Sequence, residues 1–268
     1  RFAGEMERMA AENGLEITVY GPKEMQEMKM GAFLSVARGS KEEPRLIVLR
    51  YCGGKADEAP IALVGKSVMF DSGGYSLKSK MATMHDDMGG GAAVAGAIRA
   101  IAAQKLPVNV VAVMAACKNM VSGDAYVPGD ILFSMNGKTI EMLNSDAEGR
   151  LTLADAITYA IRKEGAERII DIATLTGAAK GAVGARSAAV IAGDETLYEA
   201  MKKASEDSCE KIWRLPADQE LFEVLRSEVA DLKNSNPGNT RAAGTRGGGI
   251  FIGKFRYGNP GYKWKLEP

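Results

Sequence analysis

The sequence predicts an α/β fold in which a mixed, mostly parallel β-sheet is sandwiched between helices. Three observations carry that expectation. Short apolar runs alternate with longer amphipathic ones along most of the chain, as when strands and helices take turns. The run Val108 to Ala116 is apolar but for Asn109 near its start, which suits a strand covered on both faces. The unusual polar residues cluster where predicted strands stop and helices start, the rim on which open α/β sheets bind ligands.

Taken in order, Phe2 to Asn13 carries Phe2, Met6, Met9 and Ala10 on one helical face and stops at Asn13-Gly14. Leu15 to Tyr20, Phe33 to Ala37, Arg45 to Tyr51 and Ile61 to Val64 are short apolar runs bounded by Gly, Pro or charge, and each is expected to be a strand. Asp86 to Ala103 has the spacing of a buried helix, with small residues from Gly89 to Gly96 that allow close packing. After the apolar strand, Asn119 to Gly129 is a polar loop, and Leu132 to Met142 reads as a hairpin turning at Asn136-Gly137. A helix from Leu151 to about Arg162, a strand at Arg168 to Ala173, a turn at Thr174 to Ala178, a strand at Ala188 to Ala192 and a helix from Glu195 to about Glu206 follow. Asp231 to Pro268 is rich in Gly, Asn and Arg and weakly patterned.

Composition narrows the function classes. The 268 residues are 46% hydrophobic and 25% charged, enough for one large domain with a substantial core. Lys plus Arg and Asp plus Glu both number 34, so no net charge draws the chain to nucleic acid or acidic lipid. The longest largely apolar run, Val108 to Cys117, is broken by Asn109 and is even so only about half of the ~20 residues that a membrane-spanning helix needs. The amino terminus lacks a basic region followed by an apolar one, so a soluble, cytoplasmic chain is expected. Cys52, Cys117 and Cys209 are odd in number and widely spaced, and are expected to be buried free thiols in a reducing compartment. With His85 the only histidine, a Ser-His-Asp triad or a His-rich zinc site has almost no material, and any metal must be held mainly by carboxylates.

The stretch that organises the chain is Asn144-Ser145-Asp146-Ala147-Glu148-Gly149-Arg150-Leu151. Carboxylates two residues apart can face one cation, while Arg150 and the free N–H groups of the helix start can hold an anion. Taken alone, a helix cap built on Ser145 or Asp146 explains it as well. Upstream, Lys66, Asp71 and Lys78 lie after the Ile61 strand, and Asp86-Asp87 opens the next helix. Topology therefore brings Asp71, Asp87, Asp146 and Glu148 toward one rim, where four unpaired carboxylates would repel one another strongly. Two divalent cations resolve the conflict, in a site suited to activating water and polarising a carbonyl or phosphoryl group.

Five ordered motifs, Val64-Gly65-Lys66, Phe70-Asp71-Ser72-Gly73-Gly74, Asp87-Met88-Gly89-Gly90, the octapeptide, and Ala173-Thr174-Leu175-Thr176-Gly177-Ala178, closely resemble the catalytic domain of the leucyl aminopeptidase family. The resemblance runs from about Met30 to about Phe255. It implies a dinuclear metallo-exopeptidase that removes amino-terminal residues from peptides, with zinc or manganese as the ions. It implies that Lys66, Asp71, Asp87 and Glu148 bind one metal and Asp71, Asp146 and Glu148 the other. Such a lysine ligates only as the neutral amine. Lys78 is implied as the stabiliser of the oxyanion and Arg150 as the holder of a bicarbonate near the attacking water. Met84, Asn144, Thr174, Leu175 and Gly177 are implied to contact substrate. His85 matches no ligand and is expected to be a partly exposed loop residue. The family assembles as a homo-hexamer.

The chain also departs from the family pattern. Ser145 replaces the usual Thr, Ser67 the usual Gly, Tyr75 a common aliphatic residue, and the stretch from Lys78 to Asp87 is short. The family's amino-terminal domain is absent and Tyr257 to Pro268 has no counterpart, so residues 1–268 are expected to be one catalytic domain with an atypical carboxyl end. The alternative is a weak or inactive member that serves in assembly or DNA binding, which the zero net charge disfavours.

Overall fold

The computed structural model describes residues 1–218, 220–236 and 244–257. Helix α1 (Phe2–Asn13) buries Met6 and Ala10, and it stops where Gly14 turns left-handed at φ 65°, a conformation open to glycine at little cost. Then come β1 (Glu16–Tyr20), α2 (Pro22–Glu27), α3 (Gly31–Ala37), β2 (Arg45–Cys52), β3 (Ile61–Asp71), α4 (Gly89–Ala103) and β4 (Asn109–Asn119). The hairpin of β5 (Ile131–Phe133) and β6 (Thr139–Glu141) leads into α5 (Gly149–Arg162) and β7 (Arg168–Ile172). The remaining elements are α6 (Ala178–Val183), β8 (Ala188–Val190), α7 (Glu195–Ser208), β9 (Ile212–Arg214), α8 (Glu220–Glu223), β10 (Leu232–Lys233) and α9 (Gly244–Tyr257).

The main sheet has the order β1-β2-β4-β3-β7. Its β1, β2 and β4 pair antiparallel, whereas β4, β3 and β7 run parallel. With the two smaller sheets included, four strand pairings are parallel and three antiparallel among the described residues. Strand alternation divides the core between the two faces. Leu46 and Val48 of β2 and Val111, Val113, Ala115 and Cys117 of β4 join α3, α5 and α9 on one side. Ile47 and Leu49, with Val110, Ala112 and Met114, join α1 and α4 on the other. The sheet is thus sandwiched between helices, as expected. Among the described residues, no helix is long and apolar enough to cross a membrane.

Several expectations need correction. Phe33 to Ala37 is not a strand but most of α3, since Ala32, Phe33, Val36 and Ala37 are buried at helical spacing, and a five-residue apolar run carries too little period to decide. β3 continues past Val64 to Asp71, so Lys66 projects from within a strand and not from a loop behind it. The helix expected from Asp86 starts at Gly89, with a short 3-10 turn at Met84–Asp86 before it. All three cysteines are free, but only Cys117 is buried, and Cys52 and Cys209 are exposed. The weakly patterned Asp231 to Pro268 contains β10 and the amphipathic α9, which takes in Tyr257; residues 237–243 and 258–268 lie outside the described residues.

Helix α5 is the centre of the packing, with every residue from Gly149 to Ala160 buried. One of them, Asp155, is a carboxylate that accepts the Phe33 N–H at 2.9 Å and the Met135 N–H at 2.7 Å. It thereby ties the start of α3 and the hairpin loop to α5. Asp155→Ala leaves both donors buried and unpaired, at about 1–3 kcal/mol each. Chemical denaturation should therefore show a loss of roughly 2–6 kcal/mol. A loss well under 1 kcal/mol would mean that water replaces the carboxylate.

Candidate metal centre

The site lies at the carboxyl ends of the parallel strands. β3 supplies Lys66 and, at its last position, Asp71. Asp87 follows the 3-10 turn ahead of α4, and Asp146 and Glu148 lie in the turn that opens α5. Oxygens of Asp71, Asp146 and Glu148 all lie within 4.8 Å of one another. Asp87 stands beyond Lys66, whose Nζ is 2.7 Å from Asp87 Oδ1, 2.8 Å from Glu148 Oε1 and 3.2 Å from the Thr174 carbonyl. Lys78 forms a second bridge, with Nζ 2.8 Å from Asp71 Oδ2 and in contact with Asp146. All twelve residues singled out from the sequence line one cavity of about 1240 Å³, Met84, Asn144, Leu175 and Gly177 among them.

Local packing explains why these side chains reach one another. Gly149 lies against Lys66 so closely that a Cβ there would stand 2.5 Å from Lys66 Cε. The Ser67 departure is absorbed in the same way, because its hydroxyl faces Gly91, where a Cβ would come within 2.1 Å of it. No side chain caps α5, which rules out the helix-cap account of the octapeptide. Ser145 Oγ instead donates to the Gly73 carbonyl at 2.7 Å and accepts the Ser76 N–H at 2.7 Å, binding the octapeptide to the loop that carries Lys78. Tyr75 closes that loop from outside by donating to the Ser122 carbonyl at 2.9 Å.

Electrostatics show a site short of positive charge. Burial pushes Asp87 up to about 7, with Glu148 adding to the rise and Lys66 opposing it. Burial likewise raises Asp146 to about 6, helped by Asp71 and Glu148 against the pull of Lys78. Burial also disfavours the charge on Lys66, but Glu148 and Asp87 outweigh it and hold the ammonium above its usual range. Arg150, desolvated in the interior, is lowered to about 10. Its NH1 donates to the Asn234 carbonyl at 2.7 Å and its Nε has no hydrogen-bond partner among the described residues.

Asp87 Oδ2 is a buried acceptor that also has no hydrogen-bond partner among the described residues. An orphaned carboxylate oxygen, three converging carboxylates and two lysines in the positions of counter-ions together fit a centre for hard or borderline divalent cations. His85, exposed, stacks its ring on Phe70 at 4.9 Å and takes no part. Sequence reasoning missed Asn119 and Asn234, both fully buried. Asn234 accepts the Leu143 N–H at 2.9 Å and donates to the Asn144 carbonyl at 2.8 Å, fixing the octapeptide from the far side. The only signal for Asn119 was a polar residue ending an apolar strand; for Asn234 there was none.

Fold and site together define an α/β domain with a multi-carboxylate metal centre at the ends of its parallel strands. The model of the cytosol aminopeptidase family's catalytic domain matches residues 1–265, wider than the Met30 to Phe255 span of the sequence motifs. The chain belongs to this family. It is 50% identical over 262 residues to a probable cytosol aminopeptidase of Clostridium perfringens, covering 97% of this chain and 52% of that protein. The corresponding protein of Alkaliphilus oremlandii is 51% identical over 254 residues, 94% of this chain and 50% of its own length. A probable cytosol aminopeptidase of Treponema denticola is 47% identical over 244 residues, covering 90% of this chain and 51% of that protein. The chain spans about half the length of the curated relatives it matches.

The raised carboxylates carry a pH signature. A folded pKa above the unfolded value of 3.8 stabilises the fold below that value, and the stabilisation is lost as pH rises through about 6 for Asp146 and about 7 for Asp87. The gain from Lys66 is lost only well above this window, because its folded pKa exceeds 10.5. In chelator, the melting temperature should fall from pH 5 to pH 8 by scanning calorimetry, and Asp87→Asn should flatten the slope. An equal slope in the variant would place the titration elsewhere.

Proposed function

We propose that residues 1–268 form the catalytic domain of a dinuclear metal-dependent aminopeptidase that hydrolyses the amino-terminal residue of peptides. The observation that carries this reading is the convergence of four carboxylates and two lysines on the floor of one cavity. In this reading Lys66, Asp71, Asp87 and Glu148 hold one ion, and Asp71, Asp146 and Glu148 the other, with Asp71 and Glu148 shared. Zinc or manganese suits a set dominated by oxygen with one amine nitrogen. Bound there, two such ions supply an activated water and a polarised carbonyl. Lys66 ligates as the neutral amine, which requires the cations themselves to lower its pKa.

The protein's own groups do the rest. Lys78 donates to the scissile carbonyl oxygen as it gains negative charge. Arg150, beside the free N–H groups at the start of α5, holds an anion, bicarbonate in this reading, where a proton acceptor is needed and His85 is turned away. Met84, Asn144, Thr174, Leu175 and Gly177 border the space for the substrate's first residue, and its free amine lies toward the carboxylates. A cavity of about 1240 Å³ has room for the end of a peptide. The family's homo-hexamer, in the cytoplasm, is the proposed setting.

Two measurements test the reading. Protein reconstituted with excess Zn²⁺ or Mn²⁺ and desalted should retain about two equivalents per chain, and Glu148→Ala, which removes the shared ligand, should retain fewer. An unchanged stoichiometry in the variant counts against a shared Glu148. Among variants assayed on leucine anilide, Lys78→Ala should lower kcat about 10²–10³-fold, as loss of an oxyanion donor does. Arg150→Ala should lower it less, with a loss only partly reversed by added bicarbonate. Full turnover in both variants would remove the roles assigned here.

A further inference from the structure

We propose that Asn119 is the positioning residue that aims Asp71 at the metal centre, an inference that rests on the metal-binding reading above. Asn119 ends β4 directly opposite Asp71 at the end of the parallel neighbour β3, and it is fully buried. Its Nδ2 donates to Asp71 Oδ1 at 2.8 Å and to the Ser145 carbonyl at 2.9 Å. The Ser145 carbonyl can only accept, and Asp71 Oδ1 already accepts the Gly73 N–H, so the NH₂ side of the amide faces them. The Asn119 carbonyl, on the backbone, accepts from Ser72 N–H at 3.0 Å and Ser72 Oγ at 2.9 Å. One residue is therefore bonded both to the loop that follows Asp71 and to the octapeptide that bears Asp146 and Glu148.

The consequence lies in which oxygen is left over. Asp71 Oδ1 takes two donors, Asn119 Nδ2 and the Gly73 N–H at 2.9 Å. Oδ2 remains for a cation, and it is the oxygen that Lys78 contacts. Without the amide, the carboxylate keeps a single backbone donor and can rotate its two oxygens through the site. The Asn119 to Ser145 bond at the same time fixes the spacing between the Asp71 and Asp146 loops. Donors behind metal-bound carboxylates typically contribute 10–100-fold to affinity.

The test is calorimetric titration of the metal-free chain with Mn²⁺, together with the visible spectrum of its Co²⁺ form. Asn119→Ala should weaken Mn²⁺ binding about 10–100-fold and alter the Co²⁺ bands. The near-isosteric Asn119→Asp, which turns an oxygen on Asp71 Oδ1, should weaken binding at least as much and serves if the alanine variant does not fold. Tyr126→Phe is the control, since Tyr126 Oη donates to the same Ser145 carbonyl at 2.9 Å from the other side. That variant should bind Mn²⁺ within about threefold of the parent. Parental affinity in a folded Asn119→Asp protein, or an equal loss in Tyr126→Phe, overturns the proposal, because rigidity of the octapeptide would then explain the effect. A parent that takes up no Mn²⁺ or Co²⁺ would instead sink the metal-binding reading itself.

Discussion

Repulsion among Asp71, Asp87, Asp146 and Glu148 is the constraint on which the rest of the structure depends. Asp71, Asp87 and Glu148 are buried and Asp146 is partly so, and like charges at such separations in a poorly solvated place strongly disfavour full ionisation. The fold answers with positive charge at two points, Lys66 between Asp87 and Glu148 and Lys78 between Asp71 and Asp146. Two ammonium groups do not neutralise four carboxylates. Burial first, and neighbouring carboxylates second, raise Asp87 and Asp146, and divalent cations would supply the missing positive charge. Parallel β3, β4 and β7 make the crowding possible, since they deliver their loops to one end of the sheet.

Holding such a cluster in place is work for neutral donors, because any further charge would be desolvated in turn. Asn119, Ser145 and Asn234 share it. Each joins segments distant in sequence: β4 to the Asp71 loop, the octapeptide to the Lys78 loop, and β10 to the octapeptide. Ser145 shows how a small hydroxyl can serve two segments at once. Its Oγ both donates to Gly73 and accepts from Ser76, and a Cβ on Gly74 would already stand 2.9 Å from that oxygen, so the contact leaves little free space.

What was legible in the sequence was whatever has a period or a motif. The α1 helix with its Asn13-Gly14 stop, the two-sided β4 and the Asn136-Gly137 hairpin are local statements, and they hold. The charged residues that the structure gathers in one cavity were conspicuous too, because ionisable groups next to glycine turns stand out. Phe33 to Ala37 failed because five residues carry too little period, and the carboxylate that receives the Phe33 N–H, Asp155 of α5, lies 122 positions away. Lys66 was misplaced behind its strand because β3 remains a strand through Ser67 and Phe70 to Asp71, where burial and pairing to β4 override the change in pattern. Asn119 and Asn234 were invisible because an amide has no charge to draw attention, and its partners are known only once the chain is folded.

The two lysines show how position turns one residue type into two. Lys66 leaves 3% of its side chain exposed, bounded by Gly149, Asp87, Glu148 and the Thr174 carbonyl. It has no second position to move to. Lys78 leaves 21% exposed on a loop whose neighbour Leu77 is 61% exposed, and one of its two partners, Asp146, is itself partly open to the cavity. A cation bound to Asp71 and Asp146 would compete directly with the Lys78 ammonium for the same oxygens. Both lysines line the same cavity, but the more exposed Lys78 has solvent beside its amine and could yield without losing its proton. Under the function proposed above, the arrangement that places both ammonium groups among the carboxylates would leave Lys78 charged and able to meet a developing oxyanion once cations took its place, whereas Lys66 would stay only by becoming a ligand.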